Sequence, residues 1–255
     1  MAKTLGVVTV TDGLHGANPA ALAHRQLGGL TLLQWLVRRI RDCRTLDDVV
    51  VIAPRLAASI GTTGQSDDRE STVSVPFFSR GDDDMLGNVA AAIKHHAADA
   101  AVLVSAGHPF VATTLIDRLS GAAKRRGGCD YVGFFSAAGR SSLLASLGMI
   151  AEWCRAAALV RADHDASDPD ERREATRHIF SHPEKFQLRL VPLPPGYERR
   201  DIRLAMRVEE DWEHARTVYN SLGPDHLDWA SIAQLIDEQP HLRARMQQLN
   251  RSESR

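Results

Sequence analysis

Ser79-Arg80-Gly81-Asp82-Asp83-Asp84-Met85-Leu86-Gly87-Asn88 runs through Val89, Ala90 and Ile93 into the apolar stretch 100–104, and then into Ser105-Ala106-Gly107-His108-Pro109-Phe110. The first part is a carboxylate-rich turn followed by apolar residues at helical spacing. The second is a strand without a charged residue that ends in a loop of Gly and Pro. Strands of that kind are buried on both faces, as in a parallel sheet covered by helices. Working towards the N-terminus, residues 49–53 and 5–10 have the same character. Between them Leu32, Leu33, Leu36, Val37 and Ile40 recur at helical spacing, with Arg38, Arg39 and Arg41 facing away. Strand, helix, strand in this rhythm implies a right-handed parallel crossover.

Working towards the C-terminus, residues 73–77 give a short strand, and Leu115, Ile116 and Leu119 suggest a helix before a strand at 131–135. The spacing predicts helices over 151–160 and 171–180, a strand at 186–191, a last short strand at 203–206 and a helix at 209–221. One or two helices broken near Pro240 complete the chain. The expected fold is a three-layer α/β/α sandwich with a mainly parallel central sheet. Residues 1–222 form the α/β domain and 223–255 a C-terminal helical extension. In such sheets ligands bind at the C-terminal ends of strands, here those ending near Val10 and Val104.

The chain has 255 residues, 44% hydrophobic and 25% charged, with a formal net charge of −1. That is enough for one sizeable core, and nothing points to a general nucleic-acid or anionic-membrane binder. No apolar run has the length to span a bilayer. The start, Met1-Ala2-Lys3-Thr4, enters a strand without the apolar segment of a signal peptide, and a cytoplasmic location is expected. Cys43, Cys129 and Cys154 are odd in number and lack C-x-x-C spacing, which fits reduced thiols rather than a metal site.

Four blocks resemble, in order, those of cytidylyltransferases that activate sugars and sugar acids for surface polysaccharides, the spore-coat type in particular. Leu27-Gly28-Gly29-Leu30-Thr31-Leu32-Leu33-Gln34-Trp35 is similar to the family's L-G-G-K-P-L-L-E-W. Arg80 to Gly87 resembles R-G-x-x-D-D-V-L-G. The stretch from Thr176 to Phe186 resembles T-P-Y-I-Y-x-H-P-E-K-F, and that from Arg203 to Trp212 resembles R-L-T-V-D-T-P-E-D-L. The resemblance implies a nucleotide-diphosphosugar transferase (Rossmann-like) fold and transfer of a cytidylyl group from CTP to a sugar, with magnesium if the chain is catalytic. It also implies a homodimer. Carried over by position, the nucleotide would meet Thr9, Thr11, Gly13, Arg80, Asp84, Gly87, Ser105 and Gly107. Glu152 and His178 fall on the acceptor side, and Arg207, His108 and Arg80 are the catalytic candidates.

The departures fall on the chemistry. The family's phosphate loop is rich in Arg and Lys, whereas Thr11 to Leu22 contains neither, and Arg25 is the first Arg or Lys after it. The family's two metal-binding aspartates are Gly107 and Arg207 here. Magnesium on a triphosphate usually takes one or two carboxylates, so no metal ligand is assigned. Arg207 instead offers a fixed cation suited to phosphate oxygens.

Several features also have plain structural readings. Of the three aspartates 82–84, Asp82 or Asp83 is expected to cap the following helix. His108 reads equally as an exposed loop residue, and His95-His96 as solvated surface. His182-Pro183 is expected to stop a helix before a strand, and the four tryptophans to fill core or interface. Asp82-x-Asp84 has the letters of a sugar-transferase metal motif but lies before a helix. Two functional readings stay open. One is cytidylyl transfer in surface-glycan synthesis; the other is a non-catalytic descendant that binds a nucleotide or sugar, or scaffolds a partner.

Overall fold

The computed structural model describes residues 2–11, 24–54, 74–136, 144 and 146–253. Expectations for Gly13 and for the loop at 60–71 lie outside them. Strand β1 (Thr4–Thr9) lies inside the sheet, paired in parallel with β4 (Asp48–Ile52) on one side and β6 (Ala100–Ser105) on the other. Beyond β4 lies the two-residue β5 (Phe77–Phe78), also parallel. On the other side β8 (Glu152–Arg155) runs antiparallel between β6 and β7 (Tyr131–Phe135), and β9 (Leu188–Pro192) closes the edge parallel to β7. A separate hairpin, β2 (Gln26–Leu27) and β3 (Leu30–Thr31), precedes the first helix.

Alternation along each strand divides the core in two. Val8, Val49, Val51, Val102 and Val104 face one layer, with α1 (Leu32–Arg41), α3 (Thr113–Ala123) and α7 (Glu209–Leu222). Leu5, Val7, Val50, Ile52, Ala101 and Leu103 face the other, with α2 (Met85–His95) and α4 (Ala156–Asp165). The three-layer α/β/α sandwich with a mainly parallel sheet is therefore present as read from the sequence. The short helices α5 (Pro169–Arg172) and α6 (Arg177–Ser181) lie on the second side. After α7, α8 (Trp229–Glu238) and α9 (Pro240–Glu253) add Ile232, Ile236 and Met246 to the first core.

Local chemistry explains the main boundaries. Thr31 accepts from Gln34 N, and the Gln34 side chain accepts from Thr31 N, a reciprocal cap that starts α1. Gly28 and Gly29 turn the β2–β3 hairpin with positive φ angles of 58° and 80°. A side chain at Gly28 would strike the Tyr219 hydroxyl, 2.0 Å from an ideal Cβ. Asp84, rather than Asp82 or Asp83, caps α2, its carboxylate accepting from Gly87 N at 3.0 Å. Asp82 instead takes the Asn88 amide at 2.8 Å.

Four expected elements differ. Of the strand placed at 73–77, only Phe77 among the described residues pairs, together with Phe78, as β5. The helix placed at 151–160 begins only at Ala156, because residues 152–155 pair as β8. The helix at 171–180 is two short pieces separated by residues 173–176. No strand forms at 203–206. The amides of Leu204 and Ala205 bond to the Ser146 carbonyl, and that of Met206 to the Gly107 carbonyl. Cys43, Cys129 and Cys154 are buried thiols without a disulfide, and among the described residues no helix is long and apolar enough to cross a membrane.

Candidate functional site

A cavity of about 440 Å³ opens at the C-terminal ends of β1 and β6. Thr9 and Thr11 come from the first strand end, and Ser105, Gly107 and His108 from the second. Two neighbouring strands stop at the same level, and their loops must splay apart there. The 105–109 loop is held tightly. Ala106 N donates to Thr9 O at 2.9 Å, Gly107 N to Ser105 Oγ at 3.1 Å, and Trp35 Nε1 to Pro109 O at 2.8 Å.

Arg207 enters from a third direction. Met206 N donates to Gly107 O at 2.8 Å, so the backbone before Arg207 is fastened beside the position it faces. Behind it, Asp211 accepts from Arg207 N at 2.8 Å and Val208 N at 3.0 Å. The same carboxylate takes both branches of the fully buried Arg203 at 2.6 and 2.8 Å. Gly148 lets the segment close. Its φ is +64°, and an ideal Cβ there would lie 2.2 Å from Ala205 N.

The opposite wall carries Glu152, Glu174 and Thr176. Tyr131 donates to Glu152 at 2.5 Å and Thr176 at 2.8 Å. Burial pushes the Glu152 carboxyl above the usual range, against the pull of these two hydrogen bonds. Burial and the adjacent Glu152 hold the Tyr131 phenol well above its own, so it stays a donor.

His108 is bonded through Nδ1 to the Ile150 carbonyl at 3.0 Å. A carbonyl only accepts, so Nδ1 carries the proton and Nε2 is left as an acceptor. Burial holds its pKa below the ordinary 6.5; the Ile150 bond opposes this and Arg207 adds to it. Burial depresses His214 in the same way. An unfolded chain therefore takes up these protons before the folded one does. The stability tied to the neutral rings is complete above about pH 6.5 and is lost as pH falls towards the folded-state values, by up to about 1.4 kcal/mol per pH unit for each ring. Urea unfolding should show a lower midpoint at pH near 5.5 than near 7.5. His108→Asn should flatten part of that slope; an unchanged slope would contradict the assignment. Glu152 acts in another window, since its raised pKa makes its contribution fullest below about pH 4.5.

Thr9, Thr11, Ser105, Gly107, His108, Glu152 and Arg207 thus share one cavity. Arg80, Asp84 and Gly87 are not part of its described lining, although Met85 is. They belong to an ion-paired cluster at the start of α2. Arg80 pairs with Asp82 at 3.0 Å, and Asp84 with Arg172 at 2.5 Å; Arg172 also reaches Asp163 at 2.5 Å. Gly87 leaves room for this, as an ideal Cβ would lie 2.1 Å from Arg80 Nη1. His178 also stands apart, bonded to Glu171 at 2.6 Å. Tyr131, Glu174 and Thr176 were not singled out in the sequence. Thr176 had a signal, as the first residue of the third block.

Magnesium, which the resemblance implies, does not fit the lining among the described residues. The expected carboxylate positions hold Gly107, without a side chain, and Arg207, whose charge repels a cation. Glu152 and Glu174 lie on the acceptor-side wall, and Glu152 is held by two hydroxyls and driven towards its neutral form. Arg25, the Arg or Lys nearest the first loop in sequence, pairs with Glu209 at 2.5 Å and lies over Trp212, 5.3 Å from the ring centroid.

Residues 22–218 match the model of the MobA-like NTP transferase domain. The chain belongs to that family. An uncharacterized protein of Methanocaldococcus jannaschii, MJ1063, is 22% identical over 94% of this chain and 93% of its own length. Among solved structures, a cytidylyltransferase from Leptospira borgpetersenii superposes with a TM-score of 0.71 at 17% identity, over 94% of this chain and 95% of that one. CMP:2-keto-3-deoxy-manno-octonic acid synthetase, solved with CTP, gives 0.61 at 10% identity, over 86% of this chain and 99% of that one. The nucleotidyltransferase fold read from the four blocks is borne out: the family is one of NTP transferases, and the chain shares its fold with cytidylyltransferases. The family model ends at residue 218, before α8 and α9.

Proposed function

We propose that this MobA-like protein binds a cytidine nucleotide or its sugar conjugate without a divalent cation, as a binding rather than a transferring member of its family. The observation that carries the reading is Arg207, lining the cavity next to Gly107 where two metal-binding carboxylates are expected. A guanidinium can grip phosphate oxygens in pairs and needs no metal to offset their charge. His108 Nε2 can accept from a ligand hydroxyl. Glu152, with its hydroxyl partners Tyr131 and Thr176, offers a polar wall suited to a sugar. The CTP held by the structural relative makes a cytidine nucleotide the natural probe. On this reading the protein works on small molecules in the cytoplasm, with no nucleic-acid or membrane partner.

Calorimetric titration with CMP and with CTP, each with and without magnesium, tests this. Binding should have the same affinity in both conditions, and incubation with CTP and candidate sugars should release no pyrophosphate. Magnesium-dependent CTP binding with pyrophosphate release would overturn it. That result would favour the rival reading, cytidylyl transfer to a sugar or sugar acid in surface-glycan synthesis.

A further inference from the structure

We propose that Glu171, His178 and His182 form a binding site for a transition-metal ion of the zinc class, set behind the acceptor-side wall of the cavity. His178 lies on α6 and His182 is its C-terminal cap. Four residues apart, they fall on one face of the turn, the spacing by which a helix presents two imidazoles to one ion. Their rings lie 4.3 Å apart. Glu171, from α5, reaches both, with Oε2 2.6 Å from His178 Nδ1 and Oε1 3.7 Å from His182 Nδ1. One candidate ligand atom from each of the three residues lies within 4.8 Å of the other two.

The donor set decides the class of ion. Two imidazoles and one carboxylate suit zinc and its neighbours, whereas magnesium and calcium prefer all-oxygen shells. Three protein ligands leave a fourth position for water. In the metal-free protein Glu171 holds His178 Nδ1, and His182 Nδ1 lies 2.9 Å from the His178 carbonyl, a bond an ion would have to replace or leave to the other ring nitrogen. His178 is 3% exposed, and its Nε2 has no hydrogen-bond partner among the described residues. His182, with 27% of its side chain exposed, gives an ion a route from solvent.

The placement has a consequence for the cavity. Between Glu171 and His178 the chain passes through Glu174, Ala175 and Thr176, all of which line it, and Thr176 holds Glu152. Helices α5 and α6 have four and five residues, too few to stand by their own hydrogen bonds. An ion tying Glu171 to the two histidines would clamp that wall.

The test uses the full chain, stripped with a chelator and titrated with zinc against a chromophoric competitor, then with cobalt(II) as a spectroscopic probe. The wild-type chain should take up one equivalent and show the visible absorption of a four-coordinate cobalt site. Glu171→Gln and His182→Asn should each weaken uptake by about tenfold or more, the least expected on losing a ligand when outer-shell losses alone cost about 10- to 100-fold. Zinc should raise the thermal midpoint of the wild type but not of these variants. Because His182 is partly exposed, its variant should keep the metal-free midpoint. No uptake by the wild type, or equal affinity in the wild type and both variants, would overturn the proposal. Neither result depends on whether a nucleotide binds.

Discussion

Replacing Asp211 with alanine should destabilise the protein by about 3–5 kcal/mol, the cost of leaving one member of a buried ion pair without its partner. Arg203 is 1% exposed and Asp211 2%, so solvent cannot take the place of the lost carboxylate. Asp211 also accepts the backbone amides of Arg207 and Val208 at the start of α7, and each would lose its acceptor. The double variant Arg203→Met, Asp211→Leu should recover most of the loss but not all, since the two amides stay unpaired. Asn250 of α9 donates to the Arg200 and Ile202 carbonyls, and its oxygen lies 3.4 Å from Arg203 Nη1. The pair is therefore tied to the last helix as well as to the Arg207 segment. Denaturant unfolding of the three proteins checks the prediction. A loss below about 1 kcal/mol in the single variant, the size of a surface pair, would show that the pair does not hold this segment.

How far such features could be read in advance depended on how local their causes are. Strands β1, β4 and β6 were legible because they are buried on both faces and so appear as unbroken apolar runs. Strand β8 was not. Glu152-Trp153-Cys154-Arg155 has no apolar run, and the alanines around it carry a helical spacing. What makes it a strand is the pair of edges offered by β6 and β7. The break between α5 and α6 has the same kind of origin, in Thr176 bonding to Glu152 and Glu171 to His178. Residues 203–206 have the apolar character of a strand, but their amides find loop carbonyls at Ser146 and Gly107 before any ladder.

The site divides in the same manner. The place of the site at the ends of two strands, and His108 with it, followed from a rule that needs only topology, whereas Thr9, Ser105 and Gly107 came with the family resemblance. Asp84 illustrates the opposite case. Its letter fits a nucleotide ligand, a metal ligand and a helix cap equally, and the cap and the ion pair show only through the positions of Gly87 N and Arg172. Arg172 is 88 residues away in the chain, beyond any local pattern.

Arg207→Ala should weaken nucleotide binding by about 10- to 100-fold, corresponding to the roughly 1.5–3 kcal/mol of hydrogen bonds to a charged group. The loss should be larger for CTP than for cytidine, because the guanidinium is assigned to phosphate and not to the base. The variant keeps two backbone anchors of this segment, the Arg207 amide and the Met206 amide. The reciprocal experiment puts the carboxylates back. An ideal Cβ at Gly107 would lie 3.2 Å from Met206 O and 3.4 Å from Ser105 Oγ, close but tolerable with a small shift, and its backbone needs no positive φ. Gly107→Asp combined with Arg207→Asp should therefore fold, lose metal-independent binding of CTP, and bind CTP only when magnesium is added. Calorimetry on the wild type and both variants separates the cases. If Arg207→Ala binds CTP as the wild type does, the guanidinium is not the phosphate ligand and the metal-free reading fails. If the double variant becomes magnesium-dependent, those two positions alone separate a metal-using site from the one this chain has.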